Sequence, residues 1–367
     1  MIVLSPVIRI VGKILSVILY AATLLAAFGG HFNPHLFTVP AALTLTLPYL
    51  VILTVIISIF WLCCRRWIIG ALGVLTIIAG WSDISSAVPL NFSKEADPSE
   101  TTFSIIAYNI LHTSDYREPN PPENRSIRFL IDSGADIICL EEMYSMEEGA
   151  RELEGHEAIA DTLRRLYPHR AGGGGTDILV LSKYPVEKIN LPNPGNTFKE
   201  SIYLFFRVMI KEQSLTLAVV HLPSFSLSEE ERTVITDLTH TPVKNSVKEL
   251  NGPIRGKLAY AFATRASATK ELIETLEDIN GPLIVCGDFN DVPASWVYRS
   301  FMKAGFRDAF AETNFGPMIT YNGHLMYFHL DQMLYRGNLR ALSLKKGSIN
   351  SSDHYPLIGT FAFTPSP

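Results

Sequence analysis

Two hydrophobic rhythms divide the chain. Up to about residue 90 apolar residues run on almost without interruption. From about residue 102 they come in short runs, each closed by polar residues. The stretches 11–29, 44–64 and 67–85 have the length and apolarity of bilayer-crossing helices, and they predict three transmembrane helices. Trp61, Trp67 and Trp81 fall at their ends, where interfacial aromatics sit. Arg9 with Lys13, and Arg65 with Arg66 two crossings later, mark the cytoplasmic flanks. Three crossings then put the N-terminus in the cytoplasm and everything after about Ser85 on the far side. The run 67–85 has the shortest apolar core, and if it re-entered the parity would reverse.

The second rhythm is that of an α/β domain. Phe103–Tyr108 ends in Asn109, Ile137–Leu140 in Glu141 and Glu142, and Leu283–Cys286 in Gly287-Asp288-Phe289-Asn290. Continuous apolar runs of this length read as strands buried on both faces. Further strands are expected at 177–181, 203–210, 215–221, 330–335 and 356–363, the second and third joined by the hairpin turn Lys211-Glu212-Gln213-Ser214. Helical periodicity covers 123–133, 156–166, 257–279 and 295–303. The polar stretch 223–255 has no such periodicity and reads as a surface insertion that gates substrate. The organisation is therefore a membrane anchor over 1–90, a short linker over 91–101 and a soluble domain over 102–367.

Composition narrows the chemistry. Of 31 basic and 36 acidic residues, five and four lie before residue 101, leaving 26 and 32 for the soluble domain. A net charge of −6 suits a long polyanion poorly, because affinity for nucleic acid comes largely from neutralised phosphates. Cys139 and Cys286 lie within apolar runs and behave as small hydrophobes, and no Cys/His spacing suggests zinc.

What unites the domain is the ends of its strands. Asn109, Glu142, His221, Asp288 with Asn290, Asp331, and Asp353 with His354 are each read as a polar group delivered by the end of a strand. Any one of them is ordinary strand-end polarity. Together they can converge at one end of a sheet as oxygen ligands and proton-transfer groups. Oxygen donors without thiolates select Mg²⁺, or Mn²⁺, over zinc. If the backbone stays extended past Gly287, Asp288 and Asn290 point the same way.

These residues, in this order, resemble the endonuclease/exonuclease/phosphatase superfamily, which includes deoxyribonuclease I-like nucleases, inositol polyphosphate phosphatases and neutral sphingomyelinases. The motifs are Tyr108-Asn109, Leu140-Glu141-Glu142, Leu181-Ser182-Lys183-Tyr184-Pro185, Val220-His221-Leu222, Gly287-Asp288-Phe289-Asn290 and Ser352-Asp353-His354-Tyr355-Pro356, and the resemblance spans about 102–363. It implies a four-layer α/β sandwich, two mixed β-sheets with outer helices, and it has membrane-anchored bacterial members. It implies Glu142 as principal magnesium ligand, Asn109 beside it, and Asp353 holding or orienting the metal shell. Glu141 takes a position often held by Gln. Asp288 and Asn290 would position water and phosphoryl oxygens. His354, oriented by Asp331, would act as base or electrostatic stabiliser, and His221 as phosphate ligand or leaving-group acid. Whether Asp288 or His354 is the base stays open.

One departure stands out: the family commonly has Arg where this chain has His329, either a solvated surface swap or the loss of a supporting ion pair. Arg265 either supplies positive charge to bound substrate or lies on a solvated helix face. His112, His156, His169 and His324 have no motif support. The reading is a membrane-anchored, Mg²⁺-dependent phosphodiesterase of a bacterial inner membrane, acting outside the cytoplasm on a lipid head group or another phosphoester. An extracytoplasmic nuclease and a catalytically inactive, membrane-tethered binding module are the alternatives. The bilayer and the phosphoester, whether lipid, nucleic acid or small metabolite, are the only partners implied.

Overall fold

A computed structural model of the chain describes residues 6–111, 124–143, 157–173, 176–191, 203–225, 255–323 and 326–365. Most of the expected insertion, along with His112, His156 and His324, lies outside these residues.

The N-terminal unit comprises α1 (Pro6–Ala27), α2 (Thr38–Thr44), α3 (Leu47–Cys63), α4 (Trp67–Ala79) and α5 (Trp81–Ala87). Of these, α1 is a single helix long and apolar enough to cross a membrane. The second and third expected spans are corrected. Each is a pair of helices, α2 with α3 bent by 69° and α4 with α5 bent by 75°. Pro48 in the first turn of α3 and Gly80 between α4 and α5 mark the breaks. The helices meet through small and polar side chains: Thr23 and Thr54 hydroxyls are 2.8 Å apart, and Trp61 Nε1 donates to Ser16 Oγ at 2.8 Å.

Two six-stranded mixed sheets form the rest. The first runs β11 (Leu339–Lys346), β12 (Leu357–Phe363), β1 (Thr102–Asn109), β2 (Ile137–Glu141), β4 (Ile178–Ser182), β3 (His169–Gly172). The second runs β5 (Val186–Ile189), β6 (Tyr203–Ile210), β7 (Gln213–His221), β8 (Leu283–Asp288), β10 (Asp331–Arg336), β9 (Arg307–Asp308). Among the described residues, only β1 with β2 and β7 with β8 pair in parallel.

Strand alternation builds the layers. Phe103, Ile105 and Ala107 of β1 meet Ile284, Cys286, Met333 and Tyr335 between the sheets. Ile106 and Tyr108 face outward against Ile127 and Leu130 of α6 (Arg125–Ser133), with Leu163 of α7 (Glu157–Leu166) in the same cluster. Val285 and Leu283 pack on Leu272 and Leu276 of α8 (Arg255–Leu276) and on Val297 and Phe301 of α9 (Trp296–Lys303). The order helix, sheet, sheet, helix is thus written in residue parity. Each buried branched side chain contributes about 1.5–3 kcal/mol relative to exposure. Helix ends are fixed locally: Asn124 accepts from Ile127 N at 2.9 Å, Ser295 from Tyr298 N at 3.2 Å, and Gly134 at φ 61° closes α6.

The two units are docked. Ala294 packs with Ala26, Ala27, Leu47, Val51, Ile84 and Ala87 of the N-terminal helices. Gly30 is required there, since a Cβ would stand 2.1 Å from Ala294 O. Asp83 of α5, almost fully buried, is ion-paired with Arg299 of α9. The expected linker is also bound down: Asn91 N donates to Asn314 O at 2.8 Å, Lys94 N to Leu342 O at 2.7 Å, and Lys94 Nζ lies 3.0 Å from Glu312.

Candidate active site

Parity also explains which residues meet. Asn109 continues the inward face of β1, His221 that of β7 and Asp288 that of β8. Because β10 runs antiparallel to β8, Asp331 at its start pairs with Asp288 at the other's end. Glu141 follows the same inward parity in β2, whereas Glu142, at φ 56°, leaves the strand geometry and turns aside.

The polar groups converge on Asp288. His354 Nε2 lies 3.5 Å from its Oδ2, Asn109 Nδ2 3.4 Å and His221 Nε2 3.9 Å. Asn109 Nδ2 also donates to Glu142 Oε1 at 3.0 Å. The extended backbone expected past Gly287 is not found. The strand stops at Asp288 and Asn290 is left-handed at φ 49°. Its side chain thereby turns back, donating to Leu222 O at 2.8 Å and Asp288 Oδ2 at 3.2 Å, while its N–H caps Asp288 Oδ1 at 2.7 Å.

Each histidine has a carboxylate behind it. His354 Nδ1 is 2.9 Å from Asp331 Oδ2, and the backbone N–H of Asp331 donates to Thr320 Oγ1 at 3.0 Å. Burial lowers the pKa of His354, but the charges of Asp331 and Asp288 outweigh it and raise the value to about 10. His221 Nδ1 is 2.9 Å from Asp177 Oδ2. Burial again lowers its pKa, and the Asp177 hydrogen bond with the charges of Asp288 and Glu142 raises it to about 9. Asp177 is the residue sequence reasoning missed. It precedes β4, and antiparallel pairing of β4 with β2 brings that strand's start beside Glu141 and Glu142.

Asp353 is half-buried, its Oδ1 3.4 Å from Ser352 Oγ, and its charge adds to the field raising His354. Asp288, Asp331 and His354 form a buried cluster whose ligand atoms lie within 4.8 Å of one another. Oxygen donors dominate this end, and Cys139 and Cys286 are buried in the inter-sheet core, so the donor set fits a hard divalent ion. Glu141 lies deeper, fully buried, with both carboxylate oxygens lacking a hydrogen-bond partner among the described residues, and one would sit 2.6 Å from any Cβ at Gly287. Burial, reinforced by Cys286 and Asp331, pushes its pKa well above the ordinary carboxylate range.

Two expectations are corrected. Arg265 lies neither on a solvated face nor toward bound substrate. It is fully buried, 4.4 Å and 4.8 Å from the Phe225 and Phe262 ring centroids, donates to Pro223 O and pairs with Asp291 at 3.5 Å. The aromatic rings beside it and the adjacent Asp291 carboxylate partly offset the cost of burying its charge. His329 is no surface swap either. It is buried edge-on against Phe310, ring centroids 4.5 Å apart, and burial drives its pKa down to about 3. His169, on β3, is half-buried and pairs with Ser182, at the end of β4 remote from Asp177.

Residues 106–354 match the Endonuclease/Exonuclease/phosphatase family. The chain belongs to that family. Residues 9–87 separately match a domain of unknown function, DUF8431. Protein angel homolog 2 of Danio rerio is 28% identical over 247 residues, 61% of this chain. The match spans only 39% of that protein's own length. Among solved structures, an endonuclease/exonuclease/phosphatase from Beutenbergia cavernae aligns at TM-score 0.44 with 13% identity, covering 72% of each chain. Sphingomyelinase C from Streptomyces griseocarneus aligns at 0.43 with 15% identity, covering 71% of this chain and 99% of its own. At that overlap the family match alone decides the assignment. The endonuclease/exonuclease/phosphatase family consists of phosphoester-hydrolysing enzymes, and the fold here, two mixed sheets in an α/β sandwich, is the one the motifs implied.

Proposed function

We propose that the chain is a membrane-anchored, Mg²⁺-dependent phosphodiesterase, its catalytic unit over 102–367 held by an anchor over 1–90. The observation that carries this reading is the convergence of two carboxylate-backed histidines on Asp288 Oδ2, with Glu142 and Asn109 alongside. Glu142, Asn109 and Asp353 would hold Mg²⁺, or Mn²⁺, and a divalent ion there would offset charge developing on the phosphoryl oxygens. Asp288 takes the proton from the attacking water, with Asn290 fixing its orientation. His354, held as an imidazolium by Asp331, donates to a nonbridging oxygen. His221, held by Asp177, donates to the leaving oxygen or binds the phosphate.

The anchor crosses a bacterial inner membrane with its N-terminus in the cytoplasm and the catalytic unit outside. That orientation rests on Arg9, Lys13, Arg65 and Arg66 and on each bent pair counting as one crossing. Anchoring, and a net negative catalytic unit, favour a lipid head group over nucleic acid as substrate.

The test is turnover by the full chain in lipid nanodiscs, with Mg²⁺ or chelator, on sphingomyelin, glycerophospholipids, plasmid DNA, RNA and bis-p-nitrophenyl phosphate. Glu142→Ala and His354→Ala serve as controls. Metal-dependent lipid hydrolysis absent in both variants is the expected result. Cleavage of nucleic acid alone would make it a nuclease, and no turnover from folded protein that binds no Mg²⁺ would make it a binding module.

A further inference from the structure

Where the N-terminal helices meet the catalytic unit, a cavity of about 540 Å³ opens, within the size range of small-molecule sites. Both units line it: Leu45, between α2 and α3, with Tyr49 and Ile52 of α3, and Met318, Phe328 and His329 from the other side. Its walls are mostly apolar, with Asn314, His329 and the exposed Lys346 as the polar side chains apart from the Tyr49 and Tyr327 hydroxyls. His329 is 7% exposed, and apart from the backbone of Asp331, which bears on its ring, neither ring nitrogen meets a hydrogen-bond partner among the described residues. A buried imidazole in that state is costly, so a polar atom from a ligand is what the site is short of.

The surroundings identify that ligand's other end. Tyr49 and Ile52 belong to a helix face carrying exposed Leu53, Val55, Ile56 and Ile59. On the catalytic side, exposed Phe315, Ile319 and Tyr327 border the same cavity, and Phe92 stacks on Phe315 at 5.3 Å. The mouth is therefore continuous with an apolar belt that belongs in lipid. The ammonium of Lys346 sits 3.8 Å from the Tyr355 ring centroid, fixed at the polar edge.

We propose that this cavity is a binding site for one acyl chain of an anionic glycerophospholipid, with His329 donating to its ester carbonyl and Lys346 facing its phosphate. The inference rests on the helices lying in a bilayer and is independent of which phosphoester the enzyme cleaves. Val292 and Pro293, just beyond Asp288 and Asn290, also line the cavity, and Tyr321, 4.9 Å from His354 between ring centroids, bridges to Phe328. A lipid seated here would lie next to the catalytic end of the sheets.

The test uses full-length protein in nanodiscs containing phosphatidylglycerol with a diazirine in its acyl chain. After irradiation, adducts are mapped by mass spectrometry. Adducts on the segment 316–328 are expected, in addition to those on the lipid-facing helices. Ile319→Trp, which fills the cavity, should abolish the 316–328 adducts while those on α1 and hydrolysis of soluble bis-p-nitrophenyl phosphate persist. Lys346→Glu should remove the preference for phosphatidylglycerol over a phosphatidylcholine probe. Adducts confined to the helices, or undiminished in both variants, would overturn the site. Loss of diester hydrolysis in wild-type protein would instead count against the catalytic reading.

Discussion

His354 and His329 are both almost wholly buried and both flank β10, one against Asp331 at its start and the other two residues before it. Their environments drive them in opposite directions. Surrounded by carboxylates, His354 titrates at about 10; against Phe310 and the apolar junction, His329 is pushed to about 3. Burial acts alike on both, so the difference lies entirely in which charges face the ring. The catalytic end of the sandwich is an interior built to hold charge. The setting of His329, two residues before the same strand, brings no charge to bear on its ring.

Removing the charge should have the largest effect. Asp331→Ala strips the partner from a buried imidazole and is expected to cost about 3–5 kcal/mol of stability and about 10²- to 10⁴-fold in turnover. Thermal unfolding and kcat on a soluble diester measure the two. Asp177→Asn should be milder on stability because the His221 side chain is 19% exposed. Turnover should still fall by up to about 10²-fold, with the His221 titration, followed by NMR, moving down from about 9. On the apolar side the sign reverses. His329→Phe removes a buried and poorly partnered polar ring and is expected to raise stability by about 1–3 kcal/mol, read as a higher unfolding midpoint; His354→Phe should lower it.

The smallest effect, and the sharpest contrast, is in the pH profile of metal-free protein. His354 and His221 have folded pKa values above the unfolded value of about 6.5. The stability they contribute is complete below that pH and lost as pH rises through about 9 to 10. His329 has a folded value below it, so its contribution holds above about 6.5 and is lost as pH falls toward 3. Denaturant titrations across this range should show the acid limb flatten in His329→Phe and the alkaline limb flatten in Asp331→Ala.

The contrast also shows where sequence reading succeeds. Strand ends were legible because a buried strand needs an unbroken apolar run, and its end is where polarity returns. Asp288, His221, Asn109 and Glu142 were found that way, and the structure brings them together. Asp177 escaped because it begins a strand, and only antiparallel pairing carries that beginning to the same edge. His329 and Arg265 were misjudged because a polar letter reads as solvent-facing until its tertiary neighbours, Phe310 in one case and Phe225, Phe262 and Asp291 in the other, are known. The bends at Pro48 and Gly80 were hidden by composition, since hydropathy registers apolarity and not axis direction. Asp83, inside the third expected span, is a rivet through its ion pair with Arg299.

Residues 90–94 lie bonded along the catalytic unit, and Gly30 lets the helices press onto Ala294. An enzyme so mounted cannot swing on a leash. With the helices in a bilayer and a lipid as substrate, as proposed above, its catalytic end would keep a fixed height and bearing and would search a plane and not a volume. Its rate should then follow the surface fraction of substrate in the bilayer, and diluting that substrate with inert lipid should slow it even when the bulk concentration is unchanged.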